Sequence, residues 1–290
     1  VLSNLIDGRK IADEYKKKLH TLAQSFEKET GIKPGLAAVR VGEDLSSQLY
    51  VHLKGEQAKA LGYRFEEHIF RSKTSSEELD VKIKELNQSP FIHGIILQLP
   101  LPAHLDKFRF LCSINPEKDV DGLHPLNAGK LFQGTSGGFI PCTPLGCLSL
   151  IQTIHPRLEG LTVGVIGASI LVGRPMALVM LQQECTVWMA HSKTQNLPAL
   201  CETADILIVA IGAPEFIQGK WIRKGATVID VGINQLPSGN IVGDVDFASA
   251  QKRAGAITPV PGGVGPMTVA FLLRNTLEAA FRYAGRSFPL

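Results

Sequence analysis

Tyr50 and Lys54 stand four residues apart in a stretch of helical pattern, and therefore on one face, which Ala58 and Leu61 continue. A lysine on a largely apolar face is costly to bury as a cation. Desolvation favours its neutral amine, and a neutral amine can take a proton from water. Gly55 follows directly and costs about 1 kcal/mol of helix propensity against alanine, so this helix is not built for stability alone. Gln98, in Gln98-Leu99-Pro100-Leu101-Pro102, closes an apolar run that reads as a strand, at the carboxyl edge where open α/β sheets bind ligands. Lys118-Asp119-Val120-Asp121-Gly122 supplies two carboxylates two residues apart. In extended backbone their side chains point to opposite faces, so that one enters a site while the other supports the loop; a plain Asx turn is the alternative.

Two glycine-bearing turns suggest ligands that approach backbone closely. Pro259-Val260-Pro261-Gly262-Gly263-Val264-Gly265-Pro266-Met267-Thr268 runs into an apolar helical stretch, with Pro266 where a first helical turn tolerates a missing N–H. Gly167-Ala168-Ser169-Ile170-Leu171-Val172-Gly173-Arg174-Pro175 lies between a strand and a helix, where free N–H groups and a positive helix end suit a pyrophosphate. Ser169 stands where Gly-x-Gly-x-x-Gly has its second glycine, so this turn alone is a weak motif. The next strand ends in His191-Ser192-Lys193-Thr194, without the carboxylate that would bind the ribose of NAD. Ser192 can donate to a 2′-phosphate and Arg174 or Lys193 can supply charge, so NADP is favoured over NAD, with a solvated basic turn as the alternative.

Strand-like and helix-like segments alternate throughout, which predicts an α/β fold with parallel sheets. In the first half, residues 36–39, 63–70 and 94–97 read as strands between helices over 8–29, 46–61 and 75–86. The Gly-, Pro- and Asn-rich stretch 119–144 breaks the rhythm, and a doubly wound sheet follows, with strands at 161–167, 186–190, 206–211 and 227–231. The expected domains are therefore 1–144, rejoined by a final helix over 267–290 that packs back on it, and a Rossmann-like nucleotide domain over 145–266, with a cleft between them. The 290 residues carry a net charge of +3, with Lys and Arg dispersed, which argues against nucleic acid. No stretch reaches the ~18 apolar residues of a membrane span, nor does the N-terminus show the basic and apolar regions of a secretion signal. Five cysteines without a Cys-x-x-Cys pair or zinc spacing suit a reducing cytosol and no metal.

Taken in order, Tyr50-Val51-His52-Leu53-Lys54, Gln98 to Pro102, Asp119 to Gly122, Pro141-Cys142-Thr143-Pro144, Gly167-Ala168-Ser169, Asp230 to Asn234, Val242-Gly243-Asp244-Val245 and Pro259 to Thr268 resemble the bifunctional methylenetetrahydrofolate dehydrogenase/cyclohydrolase (FolD) family over nearly the whole chain. The resemblance implies NADP-dependent oxidation of methylene-tetrahydrofolate to the methenyl form and hydrolysis of that cation to formyl-tetrahydrofolate in one site, by a cytoplasmic homodimer. It implies Lys54 as the catalytic lysine with Gln98 beside it, Tyr50 stacked on the folate, Asp121 on the pterin and Ser47 as a supporting contact. Pro261, Gly262 and Gly265 would flank folate and nicotinamide, and Gly167, Ala168, Ser169, Arg174, Ser192 and Ile233 would line the cofactor. A monofunctional NAD-dependent dehydrogenase on the same scaffold is the alternative. The sequence departs from the family pattern at Asp80, Ser89, Ala168 and Ile170.

Overall fold

The computed structural model describes residues 4–290. It divides into two compact units, each assembled from separated stretches of chain: Glu14–Cys142 with Val269–Leu290, and the chain's start up to Asp13 with Thr143–Thr268.

The first unit holds a three-stranded parallel sheet of β2 (Gly35–Val41), β3 (Arg64–Phe70) and β4 (Gly94–Leu97), in the order β3-β2-β4. All seven residues of β2 are buried, as expected for the centre of a covered parallel sheet, with Arg40, paired to Glu67, the one charge in an otherwise apolar run. Helix α1 (Gly8–Thr30) leads into the unit, and α2 (Leu45–Ala60), α3 (Ser76–Gln88), α4 (Lys107–Ser113) and α5 (Pro125–Gln133) follow. Leu79, Ile83 and Leu86, spaced to one face of α3, join Ile95 and Leu97 of β4 and Phe110 of α4 in one core cluster. Asp80 pairs with Arg109, so α3 is tied to α4 by an ion pair there.

The last helix, α10 (Val264–Tyr283), packs on this unit over its length from Val269, as the sequence predicts. Phe271 stacks on Tyr15 and Phe281 on Phe26, and the Tyr63 hydroxyl donates to Leu273 O at 3.2 Å.

The second unit is a doubly wound parallel sheet. Strands β1 (Asn4–Leu5), β5 (Thr162–Ile166), β6 (Thr186–Ala190), β7 (Ile206–Val209), β8 (Thr227–Asp230) and β11 (Ala256–Ile257) lie in the order β1-β11-β8-β7-β5-β6, and β9 (Asn234–Gln235) and β10 (Ile241–Val242) form a separate antiparallel pair. The chain leaves β5 for β6 on one side and continues through β7 and β8 on the other, which creates a topological switch point between β5 and β7. Helices α6 (Cys142–Gln152), α7 (Gly173–Gln182), α8 (Leu197–Cys201) and α9 (Phe247–Ala250) complete the unit. Residues from Asn4 to Asp13 group here, whereas the sequence reading assigns them to the first domain. The reason is non-local: β1 pairs with β11, about 250 positions away in the chain.

Candidate active site

Helix α2 starts where the Asp44 side chain accepts from Ser47 N–H at 2.7 Å, a cap that fixes the helix phase and with it the direction of Tyr50 and Lys54. Ser47 and Lys54 are both buried. The Lys54 Nζ donates to Gln98 Oε1 at 3.1 Å and lies 5.4 Å from the centre of the Tyr50 ring. Gln98 is itself oriented: its N–H donates to Val39 O, which carries the β4 ladder one residue further, and its Nε2 donates to Leu99 O at 2.8 Å. A buried amine is thus held between an amide oxygen and an aromatic face at the carboxyl edge of the sheet. Burial also raises the Tyr50 phenol above its ordinary range, so that the ring acts as a neutral surface. Gly55 has a packing reason: a Cβ there would meet Phe65 Cε1 at 2.4 Å, so the glycine lets α2 lie close on β3.

Asp119 and Asp121 divide their work. Ile95 N–H donates to Lys118 O and Ile95 bridges Asp119, so this segment rides on the edge of β4. The Asp119 carboxylate accepts from His124 N–H at 2.7 Å and from Asn127 Nδ2 at 2.8 Å, closing the loop; burial pushes its carboxyl up, and those hydrogen bonds pull it back. Asp121 is half-exposed. The buried Cys142 thiol connects the two parts of the site: it donates to Val120 O at 3.2 Å, and both Asp121 and Lys54 act on it electrostatically. Burial first and Asp121 next push that thiol well above its usual range. Asn275 of α10 holds the surrounding backbone, donating from Nδ2 to Val120 O at 2.9 Å and Ile140 O at 3.1 Å.

In the second unit the candidate cofactor residues gather at the carboxyl edge of the sheet. Gly167 adopts φ 119°, and a Cβ there would meet Ala210 O at 2.1 Å. Ser169 Oγ accepts from Val172 N–H at 3.1 Å and Gly173 N–H at 3.4 Å, and Arg174 Nε donates to Ala168 O at 3.1 Å. The start of α7 is therefore capped from within, and the Ser169 hydroxyl hydrogen remains for a ligand. Ser192 is exposed in a turn after β6 that is closed by Thr194 Oγ1 accepting from His191 N–H. Ile233 is exposed after β8. Pro261, exposed, follows a cis peptide bond, Gly262 has φ 110° and its carbonyl accepts from Arg9 N–H at 3.0 Å, and Gly265 lies in the first turn of α10.

Three residues with structural weight here carry no assigned role in the sequence reading. A Cβ on Gly173 would meet Gly167 O at 1.9 Å, so Gly173 and not Ser169 supplies the close approach of helix to turn. Asp230 and Asp244 are buried carboxylates. Asp230 accepts from the N–H groups of Gly232, Asp244 and Val245, and Asp244 from those of Ile211, Gly212 and Ala213 and from Asn234 Nδ2. Burial raises Asp230 to about 6 against those hydrogen bonds. The available signal was Asp230-Val231-Gly232 and Gly243-Asp244-Val245: a Cβ on Gly243 would meet Asp230 Oδ2 at 1.9 Å. Among the described residues no group of His, Cys, Asp and Glu is suited to hold a metal ion, and no helix is long and apolar enough to cross a membrane.

Comparison with known proteins covers both units. Residues 6–121 match the family model described as tetrahydrofolate dehydrogenase/cyclohydrolase, catalytic domain, and residues 141–284 the one described as its NAD(P)-binding domain. The bifunctional protein FolD of Brucella anthropi is 49% identical, with all of both chains covered. The crystal structure of the bifunctional enzyme FolD from Campylobacter jejuni is 43% identical, with a TM-score of 0.94 over 97% of this chain and 99% of that one. The Trypanosoma brucei enzyme, solved with NADP cofactor and an inhibitor, is 37% identical with a TM-score of 0.94 over 99% of this chain and 100% of its own. With the buried lysine, its glutamine partner and the glycine turns in sequence order, these likenesses run from end to end, and the chain belongs to the tetrahydrofolate dehydrogenase/cyclohydrolase family.

Proposed function

We propose that this protein oxidises methylene-tetrahydrofolate to methenyl-tetrahydrofolate with NADP and hydrolyses the methenyl cation to formyl-tetrahydrofolate. The observation that carries the reading is the buried Lys54 amine donating to Gln98 Oε1 at 3.1 Å beside the Tyr50 ring. In this reading Tyr50 stacks on the folate, Asp121 accepts from the pterin N–H groups, and Ser47 supports the pocket. For hydrolysis, Lys54 Nζ takes a proton from the water that adds to the methenyl carbon, and Gln98 Oε1 keeps the amine aimed as it does so. The carbon–nitrogen bond to N5 then breaks, and N5 receives a proton.

The fit of NADP rests on three features: Gly167 leaves no room for a side chain over the switch point, Ser169 keeps a hydroxyl hydrogen, and no carboxylate follows β6. When bound, NADP supplies the hydride acceptor for the bridging carbon. Gly167, Ala168, Ser169 and Arg174 cradle its phosphates, Ser192 takes the 2′-phosphate, and Ile233 with Pro261, Gly262 and Gly265 flanks the nicotinamide. Residues 145–266 bind NADP, and residues 1–144 with 267–290 bind the folate, apart from the start up to Asp13, which groups with the nucleotide unit. The family resemblance supports a cytoplasmic homodimer.

The test follows NADPH and methenyl absorbance together, with methylene-tetrahydrofolate and either NADP or NAD. Reduction with NADP without methenyl accumulation is expected. Accumulating methenyl overturns the hydrolytic role, and turnover with NAD alone favours the monofunctional dehydrogenase.

A further inference from the structure

Three consecutive N–H groups after β7 converge on one carboxylate. Ile211 and Gly212 donate to Asp244 Oδ2 at 2.7 and 3.0 Å, and Ala213 donates to Oδ1 at 2.9 Å. Such a run of N–H groups at the end of a parallel strand is an anion-binding nest, and here the anion is the protein's own. The loop it shapes begins at Ala210, whose carbonyl faces Gly167 so closely that a Cβ would approach it to 2.1 Å. Ala210, whose N–H donates to Ile166 O at 2.8 Å, and Gly167 thus lie side by side at the carboxyl ends of β7 and β5, at the switch point. The same Oδ1 accepts from Asn234 Nδ2 at 2.8 Å, which ties down the loop after β8, where Ile233 is exposed. Asp244 has no exposed surface, and Asp230 fixes its backbone by accepting from its N–H at 2.9 Å.

We infer that Asp244 is a positioning residue for the nucleotide, setting the loops after β7 and β8 in the arrangement that accepts NADP without touching the cofactor itself. This rests on the NADP-dependent reading above. The N–H groups of Ile211, Gly212 and Ala213 are all turned to the carboxylate, so Asp244 sets the backbone course of the loop after β7. An amide cannot do the same work: with an asparagine oxygen at the Oδ2 position, the amide nitrogen beside it would face the Ala213 N–H, donor against donor, and Asn234 would have to turn its own amide round to accept.

The experiment is Asp244→Asn in the full chain, with NADP affinity measured by calorimetry, KM and kcat for NADP in the dehydrogenase assay, and hydrolysis of methenyl-tetrahydrofolate followed without nucleotide. The expected result is a Kd and KM for NADP raised about tenfold or more, kcat recovered at saturating NADP, and nucleotide-free hydrolysis unchanged. An unchanged Kd in the folded variant overturns the inference, as does a parallel fall of hydrolysis and NADP affinity, which would mark a general structural loss. If Asp244→Asn does not fold, Asn234→Ala decides, since it removes one of the four donors from a half-buried position. A severalfold rise in the NADP Kd supports the inference and none overturns it. Failure of the unmodified protein to bind NADP would instead overturn the functional reading.

Discussion

At the residue scale, Lys54 is the side chain on which the two activities separate. Hydride transfer needs placement and little acid–base help, whereas addition of water needs a group to take the proton. Lys54→Met keeps the length and apolar stem but removes the amine. Hydrolysis should fall by about a hundredfold or more, while dehydrogenase turnover remains measurable in a single-turnover assay that follows both chromophores; equal loss of both would refute the assignment. A second residue sets a pH dependence away from the site. His93 is buried, its Nδ1 accepts from Gly35 N–H at 3.0 Å, and burial first, then the Lys118 charge, lowers it from 6.5 to about 4. Between those values the unfolded chain binds the proton and the folded one does not, so stability present above pH 6.5 is lost as the pH falls, by about 2 kcal/mol from pH 7 to pH 5. Asp230, raised to about 6, acts with the opposite sign, since the folded state holds its proton first and gains stability as the pH falls below 6. His93→Gln, which keeps an acceptor for Gly35, should therefore shrink the drop in thermal midpoint between pH 7 and pH 5. Tyr50 and Lys54 were legible because their relation is one helical turn. Asp244 was not, because its backbone partners lie more than thirty residues away and no local pattern marks a carboxylate that binds N–H groups.

At the element scale, the strand–turn–helix of β5, Gly167 and α7 shows how a departure from a motif can hide its function. Scored against Gly-x-Gly-x-x-Gly, the turn looks weak because Ser169 replaces a glycine. The structure assigns the contact that needs a bare Cα to Gly173, six residues after Gly167, while Ser169 caps the helix. Gly173→Ala would gain up to about 1 kcal/mol of helix propensity but sets a Cβ at 1.9 Å from Gly167 O, a backbone atom that cannot swing aside. The overpacking cost of about 1–3 kcal/mol decides the sign, and relief requires the turn itself to move. Dehydrogenase KM for NADP should rise severalfold, with nucleotide-free hydrolysis intact; an unchanged KM would mean that α7 yields instead. The helices and strands themselves were readable from periodicity, since the apolar runs of β2 and β4 and the capped pattern of α3 are local signals. Gly55 was readable as an anomaly only, because the Phe65 ring that explains it comes from the following strand.

At the scale of the whole molecule, the order of elements along the chain is legible, but their grouping is not. The α/β alternation announces two sheets, and the glycine- and proline-rich stretch before Cys142 announces a junction. Nothing in residues 4–13 announces that β1 completes a sheet through β11, because a two-residue strand carries no periodicity. The return of α10 was inferable, since it follows the last strand of a sheet that it cannot extend. Its contribution is large. Phe271, Leu272, Leu273, Leu277 and Phe281 are all buried, and at about 1.5–3 kcal/mol each their burial is worth roughly 10 kcal/mol. Before the entropy of ordering the helix is set against it, that gross term is of the size of a typical domain's net stability, about 5–15 kcal/mol. Asn275 adds the hydrogen bonds that hold Val120 and Ile140, and hence the backbone beside Asp121. A fragment ending at Cys142 keeps Tyr50, Lys54, Gln98 and Asp121 but loses that helix, and its exposed Phe26 and Tyr15 faces lose the rings stacked on them. Such a fragment should be unfolded by near-ultraviolet circular dichroism and rapidly cut by chymotrypsin, and it should lack hydrolytic activity despite carrying the lysine. Supplying residues 269–290 as a separate peptide should restore some of the protection, because the missing contacts are side-chain contacts and not a matter of connectivity. A fragment that folds without the peptide would show that the three-stranded sheet and its own helices are a sufficient core.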